Sequence, residues 1–257
     1  MDSVVSADSV ISAINQHDGI PVLVAALCVI LTETIVTWLV AFDTGQILLL
    51  AGLLTVLLTA TAGPRAWLGL GVGEFVVGSF FGTISLGLTV AFATSAAAAL
   101  CWRLWTPPSR RAFAWLGHYV GVAVLTVVAL AATYGTLSEL FGRAPFFVEF
   151  ATVGPAMLLA TLAGLPAVWL ATGYVDTRTH PRQWPRGAKG RVGAIILLWG
   201  GGSYIASFVF EAFSLVPAAT IGHRVSPAMQ TGYELLGGGR YAIISFGIAV
   251  VLLITYV

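Results

Sequence analysis

The sequence predicts an all-α fold, a polytopic bundle of helices embedded in a membrane. Of the 257 residues, 58% are hydrophobic and only 9% are charged, and the mean hydropathy is +0.94. Soluble domains carry about 25% charged residues. The few charges also cluster between long apolar runs, so we expect a multipass protein of the plasma membrane whose main partner is the lipid bilayer.

Eight apolar runs are candidates for membrane spans. A spanning helix needs about 20 apolar residues, because in lipid it must satisfy its backbone hydrogen bonds within itself. Runs 47–62 and 66–81 are short and are separated only by Gly63, Pro64 and Arg65, whereas five runs have the full length: 21–40, 84–104, 112–134, 147–174 and 192–213. An eighth run, 241–257, ends the sequence. The sequence favours eight spans over seven spans plus a re-entrant hairpin at 66–81.

The positions of Lys and Arg predict the orientation, because loops rich in these residues stay on the cytoplasmic side. Basic loops lie at 105–111 and 175–191. They enclose two runs, an even number, so both loops can lie in the cytoplasm. The two runs that follow, 192–213 and 241–257, then return the C-terminus to the cytoplasm. We expect residues 1–20 to form a polar acidic tail and 21–257 a single transmembrane domain with an extracytoplasmic loop at 214–240. Between residues 134 and 147, Leu137 and Leu140 recur at helical spacing and predict an interfacial segment.

Several functional classes are disfavoured. A net charge of +1 provides no basic field that could bind nucleic acid. The single lysine, Lys189, lies in a predicted loop, which excludes covalently bound retinal. A bis-histidine haem needs two histidines at matched depth, and only His118 lies in a predicted helix. No metal motif and no activated nucleophile is visible, so we expect no cofactor and favour a non-catalytic function over an intramembrane enzyme.

A single carboxylate, Glu74, stands within the apolar, glycine-rich segment GLGVGEFVVGSFFG at 69–82. Glycines at four-residue spacing allow a neighbouring helix to approach closely, and on a helix Phe75 and most of these glycines share a face with Glu74. The helix-packing glycines are Gly69, Gly71, Gly73, Gly78 and Gly82. We therefore predict that Glu74 faces the interior of the bundle, where an ionised carboxylate costs about 2.5 to 3.5 kcal/mol on insertion scales.

A second deep carboxylate, Glu33, lies in the middle of the first run, with hydroxyl groups at Thr34 and Thr37. Ionisable residues inside a membrane mark ligand sites or ion pathways by default. We therefore expect these residues, with Glu74, to bind a ligand or an ion. The alternative is that each carboxylate only locks helix packing through a hydrogen bond.

Three further charged residues lie near the ends of predicted helices: Glu149, Arg143 and Glu211. We expect them to lie at the interface, where they reach water, or to gate access to the site.

The arrangement of residues 47–170 resembles that of known membrane domains. It places RAWLGLGVGEFVVGSFFG at the centre of a short apolar pair, followed by GLTVAFATSAAAALCWRLW, a basic loop and a long helix pair that ends in VGPAMLLATLAGLPAVW. This pattern resembles the membrane-associated sensor domains that precede bacterial signalling modules, and more distantly the substrate-capturing subunits of energy-coupling-factor vitamin transporters. The resemblance implies ligand binding between helices. The sequence departs from the sensor pattern in that no signalling module follows the last run.

Three functions are consistent with these observations. The favoured one is the binding or transport of a small molecule or ion between helices, at a site lined by intramembrane carboxylates. The alternative is a structural or assembly subunit that packs through glycine-rich faces against a membrane-protein partner or a second copy of itself. The third is a membrane sensor module.

Overall fold

The computed structural model describes residues 19–39, 50–105, 112–141, 146–174 and 186–215. In these ranges the chain forms α-helices joined by short turns, with no strand. The helices are α1 (Gly19–Leu39), α2 (Ala51–Ala62), α3 (Ala66–Phe81), α4 (Ile84–Leu104), α5 (Ala112–Leu140), α6 (Phe146–Ala163), α7 (Leu165–Tyr174) and α8 (Arg186–Leu215). The predicted all-α fold is confirmed over the described residues.

Two of the described helices, α4 and α5, are long and apolar enough to cross a membrane. Helices α6 and α7 add a third span if the bent pair is counted as one. Helices α2 and α3 are apolar but have only 12 and 16 residues, which correspond to about 18 and 24 Å of helix. These helices are compatible with a membrane protein, while the eight spans and the side of the C-terminus stay predictions.

Two predicted loops are partly helical. Helix α5 runs on through Leu140, so Leu137 and Leu140 continue the preceding helix, while their interfacial position stays a prediction. Helix α8 begins at Arg186, inside the predicted basic loop, so Lys189 lies in a helix and not in a loop. Arg and Lys are good helix formers, and a polar turn can therefore extend an apolar helix beyond the span that hydropathy detects.

The predicted run 147–174 is broken into α6 and α7, which meet at Gly164 with a bend of 49°. Pro166 explains the break, because its ring lacks an N–H and crowds the carbonyl of the residue four positions earlier. Hydrogen bonding continues across the bend: Gly164 N–H donates to the Ala160 carbonyl at 3.0 Å, and Val168 N–H donates to the Gly164 carbonyl at 3.1 Å.

Two pairs of helices that are adjacent in the chain, α3 with α4 and α5 with α6, pack antiparallel. Gly71 of α3 lies against Ser95 of α4, and Gly78 lies against Gly87, so the residue numbers run in opposite directions. Thr83 caps the start of α4, where its side-chain oxygen accepts a hydrogen bond from Leu86 N–H at 3.2 Å, as expected of a helix cap. Contacts between α5 and α6 have the same order: Gly135 with Phe146, Ala131 with Gly154, and Tyr119 with Thr161.

Two of the apolar clusters in the described helices meet at α3. The first, which we call the α1–α3 cluster, consists of Ala25, Val29, Leu54, Leu58, Ala66, Leu70 and Ala98. The second, the central cluster, includes Ala51, Val77, Val90, Val127 and Met157. On α3 the two clusters adjoin, since Leu70 belongs to the first and Val77 to the second. The residue between them on this helix face is Glu74.

Candidate functional site

The buried residues of α3 recur every three or four positions, so they form one face of the helix. Its buried residues are Ala66, Gly69, Leu70, Gly73, Glu74, Val77 and Gly78. Large apolar side chains such as Leu68 and Val72 are exposed on the opposite face. The predicted burial of Glu74 is confirmed, since its exposed fraction is 0%. Phe75 is 37% exposed because one residue turns the helix by about 100°, so it does not share the interior face.

Two glycines bring α1 against α3 at backbone distance. A Cβ atom at Gly73 would stand 2.7 Å from Val29 Cβ and 3.0 Å from the Ala26 carbonyl oxygen. A Cβ atom at Gly69 would clash with the Val22 carbonyl oxygen. The residue numbers rise together along both helices, so α1 is parallel to α3. No room remains between the two backbones at these levels.

The other glycines close α3 against α4. A Cβ at Gly78 would stand 2.8 Å from Gly87 Cα. A Cβ at Gly71 would clash with the Ser95 hydroxyl, and one at Gly82, just after α3 ends, would clash with the Leu86 side chain. Helix α3 is therefore held between α1 and α4 by direct contact with their backbones and short side chains.

Glu33 of α1 and Glu74 of α3 are brought together in this tightly packed region. Glu33 shares a helix face with Val29, which lies one turn earlier and packs on Gly73. Both glutamate side chains are 0% exposed, and they lie close enough for their charges to interact. The sequence predicted two deep carboxylates, and the structure places both at one site.

None of the four carboxyl oxygens of Glu33 and Glu74 has a hydrogen-bond partner among the described residues. Arg65 and Arg103 are exposed and lie toward the opposite end of α3 and α4; Arg65 is about 13 Å from Glu74 along the helix axis, at 1.5 Å per residue. A buried carboxylate with neither a hydrogen bond nor a counter-charge is strongly destabilised. Among the described residues, neither a hydrogen bond nor a counter-charge offsets the cost of burying an ionised carboxylate at this pair.

Hydroxyl groups are also buried in α2, a helix that packs mainly on α4, α5 and α6 and less on α1 and α3. Thr55 and Thr59 are 0% and 1% exposed, and their hydroxyl oxygens have no hydrogen-bond partner in the described part of the chain. Sequence reasoning missed both, because threonine is common in membrane helices and gives no distinctive signal. Of the predicted hydroxyl ligands, Thr34 is half-buried, and the side chain of Thr37 lies outside what the structure describes.

Of the three predicted interfacial residues, the structure describes the side chain of Glu149. Glu149 lies in the first turn of α6, where its Oε1 accepts a hydrogen bond from the Ser138 hydroxyl of α5 at 3.0 Å. Glu139 of α5 accepts a hydrogen bond from Phe146 N–H at 3.0 Å and so caps α6. Arg143 and the side chain of Glu211 lie outside the described residues.

A separate apolar cavity of about 380 Å³ lies between α5, α6 and α8. Its walls include Val127, Ala131, Phe150, Pro155 and Tyr204. Neither Glu33 nor Glu74 lines it. This cavity has room for an organic molecule, in contrast to the surroundings of the two carboxyl groups.

Cofactor ligands are not gathered in the described helices. The described residues contain no group of three or more His, Cys, Asp or Glu side chains placed to hold a metal ion. His118 packs its ring against Trp105, with the ring centres 5.5 Å apart. Lys189 lies at the start of α8, where its Nζ donates to the Leu104 carbonyl at 3.5 Å, at one end of the bundle.

No protein-family model, no curated protein and no solved structure matches this chain.

Proposed function

We propose that this protein binds or transports a small molecule or ion between its helices, at a site lined by Glu33 and Glu74. One observation carries the proposal: two fully buried glutamates on adjacent helices have no partner for any carboxyl oxygen among the described residues. Intramembrane carboxylates are costly and mark binding sites or ion pathways. A purely structural carboxylate would accept a hydrogen bond, as Glu149 accepts one from Ser138.

The proposal includes a multipass arrangement in the plasma membrane. Support comes from the antiparallel packing of α3 with α4 and of α5 with α6, which is the arrangement of successive spans joined by short loops. Successive spans alternate in direction, so the first and third should run the same way. The parallel packing of α1 and α3 agrees with this if α2 crosses back between them. Eight spans with a cytoplasmic C-terminus fit this alternation.

Thermal unfolding of the purified full-length protein tests the binding proposal. A ligand that binds only the folded state at a concentration about 100 times its Kd stabilises that state by about 2.7 kcal/mol. The melting temperature is measured in Na⁺, K⁺, Mg²⁺ and Ca²⁺ salts and over a series of pH values. We expect at least one cation, or the proton, to stabilise the wild-type protein, and the effect to be lost in Glu33→Gln and Glu74→Gln.

Glu149→Gln is the matched control, because it neutralises a half-buried glutamate outside the site. It should respond to ions and pH as the wild-type protein does. Identical responses of wild-type protein, Glu33→Gln and Glu74→Gln under every condition would contradict the proposal. Flux of the stabilising ion into liposomes containing the protein then separates transport from binding alone.

The assembly function is less well supported, because Gly69, Gly73 and Gly78 contact α1 and α4 of the same chain. Those contacts occupy the glycine-rich face that a partner protein or a second copy would need. The sensor function shares the ligand site with the favoured proposal and differs only in the event that binding triggers. We therefore keep ligand or ion binding at the pair as the proposed function.

A further inference from the structure

We propose that the ligand of the Glu33–Glu74 pair is the proton, and that both carboxyl groups are protonated and uncharged when α1, α3 and α4 pack as in this structure. This inference rests on the proposed function and specifies its ligand. It is based on three features of the site: its lack of space, its lack of compensating charge, and the position of α1 at the edge of the described bundle.

Space excludes larger ligands. A gap that could hold even one water molecule beside a carboxyl group would expose part of that group's surface, and both side chains are 0% exposed. Gly73 and Gly78 hold the neighbouring helices at distances where an added Cβ would not fit. A hydrated ion or an organic molecule therefore has no room, whereas a proton adds no volume.

A bare divalent cation is also disfavoured by its need for ligands. Calcium takes about six to eight oxygen ligands, and magnesium requires near-octahedral coordination. The carboxyl pair offers four oxygens, and the described part of the chain has no third acidic, histidine or cysteine side chain placed to join them. Two protons neutralise the pair without further ligands.

The charges of the described elements do not compensate two carboxylates. The described elements that contact α1 or α3, the helices that carry the pair, are α2, α4 and the turn Gly63–Arg65. The other ionisable groups of these elements and of the two helices are Cys28, Arg65, Cys101 and Arg103, and both arginines are exposed near the Gly63 end of the bundle. Two ionised carboxyl groups would repel each other across a medium of low dielectric constant. Protonation removes both the repulsion and the cost of burying the charges.

The chemical step is a simple acid dissociation. Each carboxylate takes a proton from water or hydronium and forms one O–H bond; release breaks that bond, returns the proton to water and leaves a carboxylate.

Water must reach the pair for either event. Helix α1 packs mainly on α3, and Leu23, Leu27 and Leu31 on its other side are exposed. Separation of α1 from α3 would wet both carboxyl groups at once.

Infrared spectroscopy of the full-length protein in lipid bilayers at neutral pH tests the inference directly. A protonated carboxyl group has a C=O stretch that is distinct from the bands of a carboxylate and shifts in D₂O. We expect two such protonated groups in the wild-type spectrum. Glu33→Gln and Glu74→Gln should each remove one, and Glu149→Gln should remove none.

If a variant fails to fold, the wild-type spectrum still tests whether the protein holds protonated carboxyl groups at neutral pH. Absence of any protonated carboxyl at neutral pH would overturn the inference. If the spectrum shows carboxylates and a metal cation stabilises the protein through the same two residues, the proton is wrong as the ligand but the proposed function survives. If the protonated bands are present yet liposomes containing the protein show no proton or ion flux that depends on Glu33 and Glu74, the inference holds and transport through the pair is contradicted.

Discussion

Gly78 of α3 and Gly87 of α4 touch through their backbones: a Cβ atom at position 78 would stand 2.8 Å from Gly87 Cα and 3.1 Å from its nitrogen. Because the obstructing atoms are backbone, no rotamer change can relieve the contact. This crossing fixes the distance between α3 and α4 one turn beyond Glu74. The carboxyl pair therefore depends on a contact that contains no polar side chain.

Gly78→Ala should lower the thermal stability of the protein. The added methyl group overpacks the crossing, at a cost of about 1 to 3 kcal/mol, which exceeds the gain of about 1 kcal/mol from the higher helix propensity of alanine. Gly117→Ala is the control, because nothing lies within 4 Å of a Cβ at that exposed position of α5. Equal melting temperatures for the two variants would contradict the packing described for α3 and α4.

Gly71→Ala should also destabilise the protein, and a second substitution should relieve part of the loss. The new methyl group would meet the Ser95 hydroxyl, which donates a hydrogen bond to the Trp67 carbonyl at 3.2 Å. In the Gly71→Ala/Ser95→Ala double variant the obstructing oxygen is gone. A double-mutant cycle measured by unfolding should give a favourable coupling of about 0.5 to 3 kcal/mol, whereas strict additivity would show that the two residues do not touch.

Tyr119→Phe should cost about 0.5 to 1.5 kcal/mol of stability. The buried Tyr119 hydroxyl donates a hydrogen bond to the backbone carbonyl of Thr161 and so ties α5 to α6. Thr161→Ser serves as the control, since it keeps the backbone acceptor and the hydroxyl that donates to the Met157 carbonyl at 2.7 Å. A Tyr119→Phe variant as stable as the wild-type protein would contradict this hydrogen bond.

The carboxyl pair predicts a pH dependence of stability. If the folded protein holds two protons that the unfolded chain releases, the folded state binds more protons, and its stability falls as the pH rises. The Glu33→Gln/Glu74→Gln variant keeps uncharged groups of similar size and should lose this slope. Melting temperatures over a pH series provide the measurement. A double variant with the same slope as the wild-type protein would assign the dependence to other groups.

The helices were largely predictable because lipid imposes a simple rule of length and composition. Helices α3 and α4 have the predicted bounds. The predictions of helix bounds are wrong where hydropathy does not indicate whether a helix begins or breaks. Charged residues extended α8 back to Arg186, and Pro166 broke a run that hydropathy predicts as continuous. The predictions for residues 1–18 and 216–257 lie outside the described residues.

The burial of Glu74 was predictable from its glycine neighbours, but its closeness to Glu33 was not. Glycines at four-residue spacing show that some helix approaches α3, and they do not identify which one. The pairing of α1 with α3 depends on the match between Val29 and the space at Gly73. Thr55 and Thr59 were missed for a related reason: their burial depends on where α2 lies and not on their own sequence context.

The shortness of α3 has a consequence for the lipid around it. Its 16 residues measure about 24 Å at 1.5 Å per residue, while the hydrocarbon core is about 30 Å thick. If α3 spans the membrane, as the sequence predicts, thinning of the surrounding bilayer would accommodate its length. Such a local dimple would bring headgroups and their hydration shell toward the middle of α3, and the thickness of the host membrane would then influence how readily Glu74 exchanges its proton.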